Sequence, residues 1–165
     1  MSREKQIRYK GKSYTVNEPT IEDWARITML QEWTDEREFS IILLSQITGL
    51  TEDEIKNADY EEVIKAANII SEYFLTDSTK FVNEFEFKDK KYRFLDLMNL
   101  TFGEFIDIDD FLVKPVVEKK KEMHLLMALL YREVDENGNY LPYDGRLVQQ
   151  RAEEFKKLPV KYVNG

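Results

Sequence analysis

The chain is predicted to be mainly α-helical with short β-hairpins, an α+β protein built from two weakly similar hairpin-plus-helices units. Three observations predict this. Apolar residues recur at spacings of three and four over most of the 165 residues, the period of a one-sided helix. Two short stretches alternate apolar and polar instead, each around a turn-forming pair. Thr or Asp followed three residues later by an acid opens most helical stretches, the pattern of a capping box.

The first unit is placed over 1–78. Ile7–Val16 reads as a hairpin, with Ile7 and Tyr9 alternating, Lys10-Gly11 turning, and Tyr14 and Val16 resuming the alternation. Pro19 and the box Thr20-Ile-Glu-Asp23 open a helix that should reach about Gln31, with Ile21, Trp24, Ile27 and Thr28 on one face. A second helix runs from about Asp35 to Leu44 or beyond. Its stripe is Phe39, Ile42, Leu43 and Ile47, and Gly49 ends it. Thr51-Glu-Asp-Glu54 starts a short helix. Asp59-Tyr-Glu-Glu62 starts a long one carrying Val63, Ala66, Ala67, Ile70 and Phe74. The polar Thr76-Asp-Ser-Thr79 marks the boundary.

The second unit is placed over 79–165. Phe81–Phe94 reads as a hairpin turning at Lys88-Asp89-Lys90. Thr101-Phe-Gly-Glu104 opens a helix with Phe102, Phe105, Ile106 and Ile108 or Asp109 around it, broken at Lys114-Pro115. The next helix is expected over Glu118–Glu133, with Met123, Leu126, Met127 and Leu130 facing the core. Asp135–Gly145 is a loop, and Leu147–Lys157 a last helix closed by Pro159. Tyr9-Lys-Gly-Lys-Ser-Tyr14 and Phe87-Lys-Asp-Lys-Lys-Tyr92 match in residue type, and each leads to a Thr-capped helix with an aromatic at the same place, Trp24 and Phe105. A lone hairpin is marginal, so the two either lie on helices separately or pair into one four-stranded sheet.

Composition narrows function. There is no cysteine and a single histidine, which removes thiolate chemistry, zinc fingers and any site needing two imidazoles. The apolar runs Ile41–Leu44 and Leu125–Tyr131 fall far short of the roughly 20 residues that span a bilayer, and no secretory signal is visible after MSREKQ. The net charge of −8 repels nucleic acid and anionic membrane. No nucleic-acid or membrane partner is therefore expected.

No set of reactive side chains is legible. Glu104, Asp107 and Asp110 would share a helix face at spacings of three, and such carboxylates suit either a hard cation or a solvated surface. Asp135-Glu-Asn-Gly-Asn139 begins like a calcium loop. It then places Tyr140 where glycine is needed and Arg146 where a bidentate glutamate is needed, so it reads as a turn. His124 sits among apolar residues without a sequence-near orienting acid and reads as structural. The expectation is no catalytic residue, no cofactor and no metal. Trp33, Tyr140, Tyr143 and Tyr162 fall in predicted loops or ends, and these four are the candidate protein-binding residues.

Gly-Lys-Ser-Tyr-Thr-Val-Asn-Glu-Pro-Thr-Ile-Glu-Asp-Trp (11–24) resembles the opening of tailed-phage tail assembly chaperones. Gln46-Ile-Thr-Gly-Leu-Thr-Glu-Asp-Glu-Ile (46–55) is similar to their Thr-Gly-Leu-Ser turn, and Asp59-Tyr-Glu-Glu-Val-Ile (59–64) to the helix start that follows it. The resemblance spans residues 11–74. The second half departs from the short members, as a second copy of the unit or as an extension. The resemblance implies a non-enzymatic chaperone in the host cytoplasm that binds the apolar tape measure protein and helps tail tube subunits polymerise around it. Three rivals stand beside it: a virion structural protein such as a connector or tail component, an acidic inhibitor of a host defence protein, and an enzyme using Asp107, Asp109 and Asp110 with a metal.

Overall fold

The computed structural model describes residues 5–75 and 81–163, with side chains except at 73–75. The side chain of Phe74 and the polar stretch 76–79 lie outside the described residues. Contacts divide the chain into two units, 1–19 with 26–77 and 20–25 with 78–165. Both combine helices with a small antiparallel sheet, as the α+β reading expects.

In unit 1, β1 (Lys5–Tyr9) and β2 (Lys12–Val16) pair with Ile7 opposite Tyr14. Lys10 and Gly11 both take positive φ, 48° and 72°. That is the type I′ loop whose twist matches the flanking strands. Alternation buries Ile7, Tyr9 and Val16. The helices are α1 (Ile21–Trp33), α2 (Glu36–Thr48), α3 (Glu52–Lys56) and α4 (Tyr60–Leu75).

Their ends are set locally. The Asp35 carboxylate accepts from the Arg37 and Glu38 amides, Gly49 closes α2 in the left-handed region, and Thr51 and Glu54 complete a capping box. Strand β1 packs on α4 and β2 on α2. Phe39, Leu43, Leu44, Ile55, Ala66 and Ile70 complete the core with the hairpin. Within α2 it is Leu44 that is wholly buried, while Ile42 and Ile47 stay half-covered. The buried stripe is therefore turned by a residue or two from the predicted one.

In unit 2, β3 (Glu84–Phe87), β4 (Lys90–Phe94) and β5 (Tyr131–Val134) form one antiparallel sheet in that order. Lys88 and Asp89 form the loop, with φ of 50° and 60°. The helices are α5 (Phe102–Leu112), α6 (Val116–Lys121), α7 (Met123–Leu130) and α8 (Gly145–Phe155), followed by a 3-10 turn at Val160–Tyr162. One sheet face is aromatic: Phe155 of α8 lies against the rings of Phe85, Phe87 and Tyr92. Helix α8 packs on α7, and the Arg151 guanidinium donates to the Ala128 carbonyl at 2.8 Å. That satisfies one of the carbonyls left open at the end of α7.

One expectation is corrected here. The helix expected over Glu118–Glu133 is two helices and a strand. It breaks at Glu122 (φ −104°, ψ 25°), whose carboxylate is bonded by the Lys114 ammonium. It ends at Tyr131 because the ladder of β4 takes over: Phe94 pairs with Tyr131 and Lys91 with Val134. The Tyr131 ring packs on Phe85 and Phe94, and its hydroxyl donates to the Val82 carbonyl at 2.6 Å.

Among the described residues the first hairpin is a sheet of two strands and the second belongs to a sheet of three. The second gains β5 as its third strand, a partner the first lacks.

Finally, unit 2 includes the first turn of α1. The Ile21 and Glu22 amides donate to the carbonyls of Leu158 and Lys156 at 2.9 and 3.1 Å, and the Ile21 side chain is wholly buried in the unit 2 core. These are amides that a helix start cannot satisfy within itself. The box Thr20-Asp23 satisfies another, the Asp23 amide donating to the Thr20 hydroxyl at 3.2 Å.

Candidate protein-binding surface

Helix α5 is apolar on two sides. Thr101 starts it: its hydroxyl accepts from the Glu104 amide, and the Glu104 carboxylate accepts from the Thr101 amide. On the inner side lie Glu104, Ile108 and Phe111, at spacings of four and three. Phe111 is buried beside α7, and Ile108 packs against the same core. Glu104 is 3% exposed. Its second oxygen accepts from Arg132 of β5 at 2.6 Å, so the helix is fastened to the sheet by a nearly buried ion pair.

The outer side carries Phe102, Phe105, Ile106, Leu112 and Val113, all exposed, Phe102 by 77%. Steps of three, one, six and one residues at about 100° each keep these five within about 120° of the helix surface. The apolar exposure continues at Leu97 and Met98 before the helix and at Val116 and Val117 after Pro115. Of the thirteen large apolar residues exposed among the described ones, nine fall between 97 and 117. Single exposed apolar residues need no explanation, but a stripe of them marks a surface built to be covered.

Asp109 lies inside this stripe and is exposed, as is Asp110. Neither carboxylate has an ion-pair partner among the described residues. Asp107 is engaged: it accepts from the Tyr143 hydroxyl. Burial first, and that carboxylate second, push the Tyr143 phenol up to about 12. It is therefore a neutral donor at any ordinary pH. The predicted shared face of Glu104, Asp107 and Asp110 is thus divided among Arg132, Tyr143 and solvent. Among the described residues no three His, Asp or Glu side chains come together as a metal-binding group. His124 is half-buried, and desolvation, then Lys156, lowers its pKa.

The four aromatics singled out in the sequence have different surroundings. Trp33 is the last residue of α1 and is 74% exposed. Tyr140 lies over the charged face of the sheet between the guanidiniums of Arg132 (4.8 Å) and Arg93 (5.9 Å), and its hydroxyl donates to the Phe94 carbonyl at 2.5 Å. Tyr162 stacks on Phe85 at 4.8 Å.

Tyr143 lies against Gly103 of α5. A Cβ at Gly103 would stand 2.8 Å from its ring. Gly103→Ala is therefore expected to cost about 1–2 kcal/mol, despite the better helix propensity of alanine, because the ring must give way. Urea denaturation measures it. A double-mutant cycle with Tyr143→Ala should show the cost largely relieved.

The stripe on α5 has a sequence signal that the one-face reading passes over. Phe102, Phe105, Ile106, Ile108, Phe111 and Leu112 are too many apolar residues for one side of an eleven-residue helix. The Asp135 segment folds as a turn, its carboxylate accepting from the Asn137 and Asn139 amides at 2.9 and 2.8 Å. No described helix is long and apolar enough to cross a membrane.

Comparison of the chain with protein-family models, with curated proteins and with solved structures finds no match.

Proposed function

We propose that this protein is a non-enzymatic tail assembly chaperone of a tailed phage. It acts in the host cytoplasm and covers an apolar helix of the tape measure protein until tail tube subunits replace it. The observation that carries this reading is the outer face of α5, continued on both sides from Leu97 to Val117. An amphipathic client helix laid along that face would bury two apolar stripes at once, the helix-on-surface mode of peptide recognition. The stripe extends over about 16 Å of helix, enough for about three turns of client. Asp109 within it favours a client with a lysine or arginine inside its own apolar stripe, since an unpaired carboxylate is costly to cover with hydrocarbon. The segments 11–24, 46–55 and 59–64 support the phage assignment by their resemblance to tail assembly chaperones.

The test is co-expression with the tape measure protein of the same phage, followed by mass spectrometry of purified particles. The expected result is that the chain co-purifies with the tape measure protein, keeps it soluble, and is missing from particles. Stoichiometric presence in particles would replace this reading with that of a virion component. Failure to co-purify, with an insoluble tape measure protein, would sink both.

A further inference from the structure

Unit 1 holds a concave site that the α5 face does not involve. A cleft of about 250 Å³ opens between α2, the end of α3 and the start of α4. Ile55, 2% exposed, lies at its base. Ile41, Val63 and Ile64 line it while only half-covered, and Tyr60 is exposed beside them. The buried hydroxyl of Ser40 donates to the Glu36 carbonyl at 2.8 Å, so it needs no ligand. The interior therefore offers hydrocarbon, and among the described residues none of its buried side-chain polar atoms lacks a partner.

The charged lining is of one sign. Arg37 and Lys56 are its only charged members. The Lys56 ammonium is taken by Glu52 at 2.5 Å. The Arg37 guanidinium has no ion pair among the described residues. In a chain of net charge −8, an apolar recess with an unpaired guanidinium beside it selects a ligand that is apolar at one end and anionic at the other. A guanidinium meets a carboxylate through two parallel hydrogen bonds.

We propose that this cleft binds a peptide segment of a partner protein in which a leucine- or phenylalanine-sized side chain stands next to a carboxylate. The side chain fills the space over Ile55 between Ile41 and Ile64, and the carboxylate pairs with Arg37. The site is independent of the α5 face, so each can fail without the other.

The probes are three capped tetrapeptides: acetyl-Gly-Phe-Asp-Gly-amide, its Phe-Asn analogue, which has the same shape without the charge, and its Ala-Asp analogue, which lacks the anchor. Each is titrated into the full chain while methyl and amide resonances are followed by NMR. The Phe-Asp peptide is expected to shift Ile41, Val63 and Ile64 with a millimolar Kd, about what a ligand of this size reaches in a shallow apolar site. The Asn and Ala analogues should each bind about tenfold more weakly. Arg37→Gln, at an exposed residue, should abolish the preference for Asp over Asn. Arg146→Gln in the other unit should leave it intact. Absence of shifts at ~10 mM peptide, equal binding of the Asp and Asn peptides, or an Asp preference that survives Arg37→Gln would each overturn the proposal.

Discussion

Replacing Phe102 and Phe105 together by serine is expected to lower affinity for an apolar client helix by about 100-fold while leaving the fold of unit 2 unchanged. Both rings stand on the outer side of α5, 77% and 53% exposed. Neither belongs to the buried core or to the residues packed on it, so their removal opens no cavity. Serine costs α5 only a few tenths of a kcal/mol per site in helix propensity. In a complex each ring would instead be desolvated. Burying a phenylalanine yields about 1.5–3 kcal/mol, so two supply roughly 3 kcal/mol or more, which is about a hundredfold in Kd. Aromatics at the centre of an interface carry such shares of binding energy. The measurement is isothermal titration of the client segment recovered in co-purification, with far-UV circular dichroism and urea midpoints as controls for folding. A double variant that binds as well as the parent would show that α5 is not the contact. Asp109→Lys in the same assay should weaken a client with a basic residue in its stripe and strengthen one with an acid there.

Glu104→Ala should destabilise unit 2 by about 3–5 kcal/mol, the largest loss expected from any single substitution outside the apolar core. The carboxylate does two jobs. One oxygen accepts from the Thr101 amide and hydroxyl at 2.8 and 2.9 Å and closes the capping box. The other takes Arg132 at 2.6 Å. Alanine removes both. It also leaves a guanidinium whose side chain is only 15% exposed without its counter-charge, and the Arg132 Nε is already buried without a partner. The flanking ring of Tyr140 offers a cation–π contact, which does not offset a lost ion pair.

The physical content of this prediction is separable by further variants. Glu104→Gln keeps an acceptor for the cap and should cost less than alanine. Pairing Glu104→Leu with Arg132→Met removes both charges and should recover most of the loss, because covering an ion pair costs nearly as much as it returns. Urea unfolding with hydrogen exchange at α5 and β5 amides locates the effect in unit 2, where a single global midpoint would mix two units. A Glu104→Ala change of less than about 1 kcal/mol would place the pair with ordinary surface salt bridges.

The α5 helix shows how far local reading reaches. Thr101 and Glu104 announce its start and Pro115 its break, because capping and proline stereochemistry act within three or four residues. Asp35, Gly49, Thr51 and both type I′ loops are legible for the same reason. Which side of α5 would be covered was not legible. Apolar residues on two sides fit the core equally well by spacing, and only the arrival of α7 and Arg132 decides between them. Strand β5 is a second instance. Leu125–Tyr131 is one apolar run in sequence, and the change from helix to strand at Tyr131 comes from β4, some forty residues earlier. Tyr140, Tyr143 and Tyr162 read as loop or terminal aromatics, and they have intramolecular partners: Arg132 over the Tyr140 ring, Asp107 accepting from the Tyr143 hydroxyl, and Phe85 stacked on Tyr162.

By itself the sequence determined the kinds of element, most of their ends, the α+β class and the absence of cysteine chemistry. Those follow from composition and from energies that act over a few neighbouring residues. Tertiary structure alone decided the third strand of the second sheet, the membership of the first turn of α1 in unit 2, and the apolar face left open on α5. Each of these depends on which distant segment competes for the same hydrogen bonds or the same hydrocarbon surface, and local spacing carries no record of that competition.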